Sequence, residues 1–326
     1  MIRCEHPVYS VDVDADGAIF YTSGEYVVKH DAFRLHVGSL TCLALNHAGD
    51  MIACGVDDDG AIRLLDRGGH PLAMMTGHML AVTCIAFNHR DDMFASGSLD
   101  GDVRLWGPVG SRKLLELHRD QVNAVSFNHR DDRVLSCSDD GFVVVWDVEL
   151  GIGLLQIQSS MSMVESAIFH SSGTILAGGG KGTIHVWGES DARNLTGHTD
   201  LVETMVCSPC GRFVASGSWD HTVRVWEISG REVMCFEGHG DAVRTIAWSP
   251  KGNRIVSGSD DKTVRTWSVQ LMLLMREIEM WQMVAKQFPK AIRFLLLCYA
   301  STMQALRGEM HPSEMARFDR LYDWLC

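Results

Sequence analysis

The sequence predicts an all-β ring of seven four-stranded units, closed by its N-terminal strand and followed by a short α-helical tail. Three observations predict it. Tryptophans fall at 106, 146, 187, 226 and 267, about 40 residues apart, the period of a β-propeller whose blades are four-stranded sheets. The text around them repeats as FASGSLDGDVRLW, VLSCSDDGFVVVW, ILAGGGKGTIHVW, VASGSWDHTVRVW and IVSGSDDKTVRTW. Upstream of each copy lies an apolar run of period two: VTCIAF, VNAVSF, VESAIF, VETMVC and VRTIAW. Alternation of this kind marks half-buried strands, and the Gly/Asp pairs between them mark turns.

Taken in order, two weaker copies come first. Residues 6–30 keep His6 and the alternation but lose the turn Asp and the Trp; residues 36–66 keep His36 and the turn acids, with Leu65 where Trp belongs. Units three, four, six and seven share a fixed set: a His, a Ser 18 residues on, an Asp four further and a Trp six beyond that. The sets are His78/Ser96/Asp100/Trp106, His118/Ser136/Asp140/Trp146, His198/Ser216/Asp220/Trp226 and His239/Ser257/Asp261/Trp267. His, Ser and Asp together invite a catalytic-triad reading. Fourfold recurrence excludes it, because a catalytic site occurs once, so no catalytic residue is assigned. Unit five departs, with Ser159, Ala177 and Lys181 at these positions.

On these residues the chain resembles the WD-repeat propeller family over residues 1–270. The resemblance implies a seven-bladed WD-repeat β-propeller in which each set forms a hydrogen-bond relay within its blade. It also implies that the outer strand of a blade precedes the next Gly-His. The segment MIRCEH looks like such a strand and its His, so residues 1–5 are expected to complete the last blade. Closure of this kind removes exposed sheet edges.

Other signals fail against the repeat. GGGKGT at 178–183 lacks the P-loop spacing and occupies the repeat's turn. Cys207 and Cys210 have metal spacing, but no second pair completes a zinc site. DVDADG at 12–17 starts like a calcium loop, yet its twelfth position is Ser23, and Asp-Gly is ordinary turn chemistry; calcium at Asp12, Asp14 and Asp16 stays open. His47, His89, His129 and His170 fall in one turn of four successive units, expected one per blade around a rim and too far apart to share a metal. The turn FNHRDD is duplicated at 87–92 and 127–132. No metal and no cofactor are expected.

Composition narrows the function. A net charge of -12 argues against nucleic acid, whose phosphates are bound through Lys and Arg. The apolar, uncharged stretch between Arg293 and Arg307 is too short to span a membrane. The start of the chain carries charges and no apolar run, so no signal peptide is read. The ten cysteines form no disulfide framework, which suits a reducing, cytoplasmic location. After Gln270 apolar residues recur at spacings of three and four, predicting two or three amphipathic helices over 271–326 as a separate tail.

The expected function is a non-catalytic protein-interaction scaffold, acting as a monomer or within a hetero-complex. The alternative is a substrate receptor or adaptor of a ubiquitin-ligase or signalling complex, docked through the tail. The resemblance places two sets of residues on the partner face: Thr83, Asn123, Glu165, Glu203 and Arg244 after the first-strand Val, and Leu99, Asp139, Trp219 and Asp260 before the turn Asp. Trp219 is the expected anchor for a peptide or loop carrying Lys or Arg beside an apolar residue. Glu165, Glu203, Asp139 and Asp260 are the expected counter-charges. Met79, Leu80, Met161, Met163 and Leu201 are expected to add apolar loop contacts.

Overall fold

A computed structural model describes residues 1–107, 110–188 and 192–269; the helices expected over 271–326 lie outside them. The chain divides into two compact units, residues 1–250 with 256–265, and residues 251–255 with 266–326. The described strands form seven antiparallel sheets of four. Blades 1 to 6 take residues 11–36, 40–75, 82–115, 122–158, 164–196 and 202–236, with strands in chain order. Blade 7 takes Val243–Trp248, Arg254–Ser259 and Thr263–Ser268, and its fourth strand is Ile2–Arg3. Ile2 lies opposite Val264 and Arg3 opposite Thr263, and the Cys4 N–H donates to the Lys262 carbonyl at 2.8 Å. The N-terminal segment therefore closes the ring, as the position of MIRCEH predicts.

The first strand of each blade packs on the first strand of the next, and that of blade 7 on that of blade 1. The core lies between blades. Ala53 and Ile62 of blade 2 meet Val82, Phe94 and Trp106 of blade 3; Ala95 and Leu105 then meet Val122, Val134 and Trp146 of blade 4. Val11 and Tyr21 of blade 1 meet Val256 and Val264 at the closure. Both faces of the second strand are covered, which is why FASGS and FVASGS are buried throughout instead of alternating. The residue before the final Ser of that motif must be small. A Cβ on Gly97 would stand 2.4 Å from Val122 Cγ1 and 2.8 Å from Cys84 Sγ.

One irregularity shapes one end of the channel. In blades 2 to 6 the ladder between first and second strands slips after its first pair, between Leu40/Cys42, Val82/Cys84, Val122/Ala124, Val164/Ser166 and Val202/Thr204. The extra residues are Thr41, Thr83, Asn123, Glu165 and Glu203. A bulge takes a residue out of the ladder and re-aims its side chain.

Candidate interaction face

Four hydrogen-bonded sets frame this face. In blade 3, His78 Nε2 lies 2.7 Å from Ser96 Oγ and Nδ1 lies 3.0 Å from Asp100, while Trp106 Nε1–H donates to Ser96 Oγ at 2.7 Å. Blade 4 repeats this with His118, Ser136, Asp140 and Trp146, and blade 6 with His198, Ser216, Asp220 and Trp226, all within 3.0 Å. In blade 7, His239 lies 2.7 Å from Ser257 and 2.9 Å from Asp261, with Trp267 buried. A serine that accepts the indole N–H can give its own proton to Nε2, leaving Nδ1–H for the carboxylate. Burial supports this neutral tautomer, holding His78, His118 and His239 below the ordinary imidazole value. Burial works against the charge on Asp100 and Asp140, but hydrogen bonds from backbone N–H groups and the imidazoles outweigh it and lower both carboxyls.

Blade 5 is held differently. Ser159 Oγ accepts the Met161 N–H at 3.1 Å, Lys181 is exposed with φ 70°, and Trp187 stacks on His185 with ring centroids 5.8 Å apart.

The bulge residues reach the neighbouring blade. Thr41 Oγ1 donates to the Val82 carbonyl and Thr83 Oγ1 to that of Val122; Asn123 Nδ2 donates to that of Val164 at 3.0 Å. Glu165 is next in the series and, ionised, has no proton to give. Burial first, then the nearby Glu203 and Asp139, push its carboxyl up to about 7. Among the described residues it makes no hydrogen bond. With Asn123, Glu203 and Arg244 it lines a cavity of about 700 Å³ at this end of the central channel.

Three of the four expected counter-charges are already taken. Arg244 lies 2.7 Å from Asp260 and 3.4 Å from Glu203, and its guanidinium sits 4.8 Å from the centre of the Trp219 ring. The Trp219 Nε1–H donates to Glu203 Oε2 at 2.7 Å. Asp139 accepts amide N–H groups from Gln121 and Asn123, both at 2.7 Å. Among the described residues the face thus presents a fixed, part-exposed indole, with Glu165 and Asp57 lining the cavity as acids without a side-chain partner, in place of a full ring of free carboxylates. Leu99, Met79, Leu80 and Met163 are exposed. Met161 and Leu201 are buried, so these two loop residues are core and are not available for contact.

The opposite rim also differs from expectation. His47 and His89 meet, with ring centroids 4.9 Å apart. Asp91 and Asp131, at φ 57° and 61°, draw the turns together. Asp91 accepts the His47 and Ala48 N–H groups at 2.8 Å, and Asp131 accepts the His89 N–H at 3.0 Å with His89 Nδ1 2.8 Å away. Duplicated FNHRDD is therefore a clasp between blades, which spacing alone does not reveal. The Asp12–Gly17 turn is likewise occupied. Asp12 Oδ2 accepts the Leu45 N–H at 2.9 Å, Asp14 Oδ1 accepts from Asp16 and Ala18, and Arg67 bridges Asp14 and Asp16 at 2.6 and 2.5 Å. Arg67 stands where a calcium ion was left open. Among the described residues no group of three or more His, Cys, Asp or Glu is placed to hold a metal.

A family model for the WD domain, G-beta repeat, matches residues 27–66, 69–107, 111–147, 190–227 and 230–268. The chain belongs to the WD-repeat family. Each matched WD repeat from the second onward runs from one blade's outer strand through the third strand of the next, so sequence repeat and blade are out of phase. The unmatched stretch 148–189 contains most of blade 5, where the relay is missing. The blade 5 strands Val164–Phe169 and Ile175–Gly179 fold here on burial without the relay. Among curated relatives, the chain is 32% identical over 88 residues to a guanine nucleotide-binding protein subunit beta of Schizosaccharomyces pombe, covering 26% of this chain and 29% of the relative. It is 49% identical over 37 residues to the small ribosomal subunit protein RACK1 of Caenorhabditis elegans, 11% of each chain. It is 37% identical over 65 residues to a periodic tryptophan protein 2 homolog of Neurospora crassa, 18% of this chain and 7% of that one. The chain thus matches under a third of the length of each of these relatives.

Proposed function

We propose that this WD-repeat chain is a non-catalytic, cytoplasmic interaction scaffold that reads a peptide or loop at the channel mouth carrying Trp219. One observation carries the reading. The Trp219 indole is held by Glu203 and Arg244 at the edge of the cavity that Glu165 lines. A rigid, part-exposed aromatic is a favoured binding hot spot. The unpaired carboxylate next to it suits a Lys or Arg beside an apolar residue. Asp260 and Glu203 support the site by fixing Arg244 and the indole. Two relatives carry names of subunits of larger assemblies, which supports an assembly role.

The test is to identify a binder by pull-down with mass spectrometry, then to compare Trp219→Ala and Glu165→Lys with Glu149→Ala, an exposed change on blade 4. Weakened binding in the first two, with salt-sensitive association, supports the reading. Loss confined to Glu149→Ala would place the contact elsewhere. A binder that instead depends on 271–326 would favour the receptor alternative.

A further inference from the structure

The far end of the channel holds a second cavity of about 630 Å³. Its wall includes the last residues of the first strands, Phe127, Phe169 and Trp248 among them, and the turn residue His170. Two of these residues carry an enclosed polar atom that has no acceptor. His170 is 4% exposed and Trp248 is 7% exposed, and neither His170 Nε2 nor Trp248 Nε1 has a hydrogen-bond partner. The proton on His170 is placed by its other nitrogen. Nδ1 accepts the Ser172 N–H at 3.2 Å, so the neutral ring carries its hydrogen on Nε2. Both atoms are therefore donors.

Both are also departures from the repeat. At the His170 position blades 2, 3 and 4 carry Asn46, Asn88 and Asn128, whose side-chain oxygens accept the backbone N–H groups of the same turn. At the Trp248 position blades 3, 4 and 5 carry Phe87, Phe127 and Phe169. The repeat thus has a solution without an unpaired donor at each position, and the two exceptions fall on one cavity. Buried polar groups in folded proteins are as a rule hydrogen-bonded, and those that are not call for an explanation in the site.

We propose that this mouth is a second binding site, for a protein segment that inserts an uncharged aliphatic or aromatic side chain and, as the two enclosed rings turn toward it, offers its flanking main-chain carbonyls to His170 Nε2–H and Trp248 Nε1–H. The phenyl rings of the wall take the side chain. A neutral acceptor suits the site because Asp12 and Asp14 share the same wall and would repel a carboxylate. The site stands apart from the Trp219 mouth and does not depend on that reading.

The repeat supplies its own test variants, His170→Asn and Trp248→Phe. The full chain is labelled with ¹⁵N at the indole nitrogens, and the Trp248 resonance is assigned by its loss in Trp248→Phe. N-acetyl-leucine methylamide is the probe, with N-acetyl-leucine, which carries a free carboxylate, as the second arm. The methylamide is expected to shift the Trp248 indole resonance saturably, and the carboxylate to bind more weakly. His170→Asn is expected to weaken the methylamide by about 2- to 10-fold, one hydrogen bond's worth, with an unchanged or raised melting temperature. Trp219→Ala is expected to leave the titration as it is. Absence of a saturable shift, equal affinity in His170→Asn, or stronger binding of the carboxylate overturns the proposal. A lowered melting temperature in both variants also overturns it, since the two donors would then serve the fold.

Discussion

Asp220 is the sharpest test of whether the four recurring sets hold the blades. Its Oδ2 accepts His198 Nδ1–H at 2.8 Å and the Thr199 N–H at 3.1 Å; Oδ1 accepts the Thr222 N–H at 2.9 Å and its hydroxyl at 2.6 Å. Asp220→Ala strips all four donors of their acceptor. Thr199 is exposed and can turn to water, but His198 is buried. A buried donor left unpaired costs about 1–3 kcal/mol, and that is the predicted loss of stability. Urea unfolding at pH 7 measures it, with slopes compared to exclude a change in the unfolded state. Lys181→Ala, at the same turn position in blade 5, is the control, since the Lys181 side chain makes no hydrogen bond among the described residues. Equal losses in the two variants would refute the reasoning. The pH dependence gives a second check. Burial opposes the charge on Asp220, yet the bonds from His198 and Thr222 hold its carboxyl well below the ordinary value of 3.8. With the folded-state value depressed, the contribution is complete above about pH 4 and is lost as pH falls below it. The gap between wild type and variant is expected to persist from pH 7 to 5 and to shrink in stronger acid.

Deleting residues 1–5 removes the strand opposite Val264 and Thr263 and bares a sheet edge; a lower melting temperature and light scattering that grows with concentration are expected, and an unchanged melting curve would refute the closure. Glu165→Gln mimics the protonated acid. Because burial raises this carboxyl from 4.5 to about 7, its favourable contribution is complete below pH 4.5 and lost as pH rises through 7. The variant is expected to match wild type near pH 4 and to exceed it at pH 8 by at least about 1 kcal/mol; equal stability at pH 8 would show that the carboxylate is well solvated. Gly97→Ala places a methyl against Val122 and Cys84, and a loss of about 1–3 kcal/mol is expected in the same urea assay. A neutral result there would mean that the blades can part at little cost.

The ring and the relay were legible because both are local and periodic. His78, Ser96, Asp100 and Trp106 sit within one unit, and fixed spacing is enough to show that they meet. The bulge set was legible for the same reason, since each member follows the first residue of a strand. What the sequence hid is contact between units. Arg244 reaches Glu203, 41 residues away, and nothing in either repeat names the other as its partner. Reading each position alone made Glu203 and Asp260 free carboxylates, when one guanidinium contacts both. His47 and His89 illustrate the same limit: one histidine per blade suggested separation, but first strands converge on the channel and bring the turns after them together. Met161 and Leu201 were misread because an apolar residue in a loop can equally cap the core beneath it.

The closure of blade 7 by Ile2–Arg3 has a consequence in time. Val8 and Val11 are made early, yet their cover, Val256 and Val264, is made last among the blades. At roughly 5–20 residues per second on the ribosome, that apolar face waits for roughly ten seconds to a minute. Folding of the intervening blades cannot shorten the wait, because the missing strands do not yet exist. The growing chain is therefore a row of finished sheets with an unsealed end, the form in which edge pairing with a neighbouring nascent chain is easiest. A holding chaperone is expected to stay bound through the synthesis of six blades and to leave on the seventh.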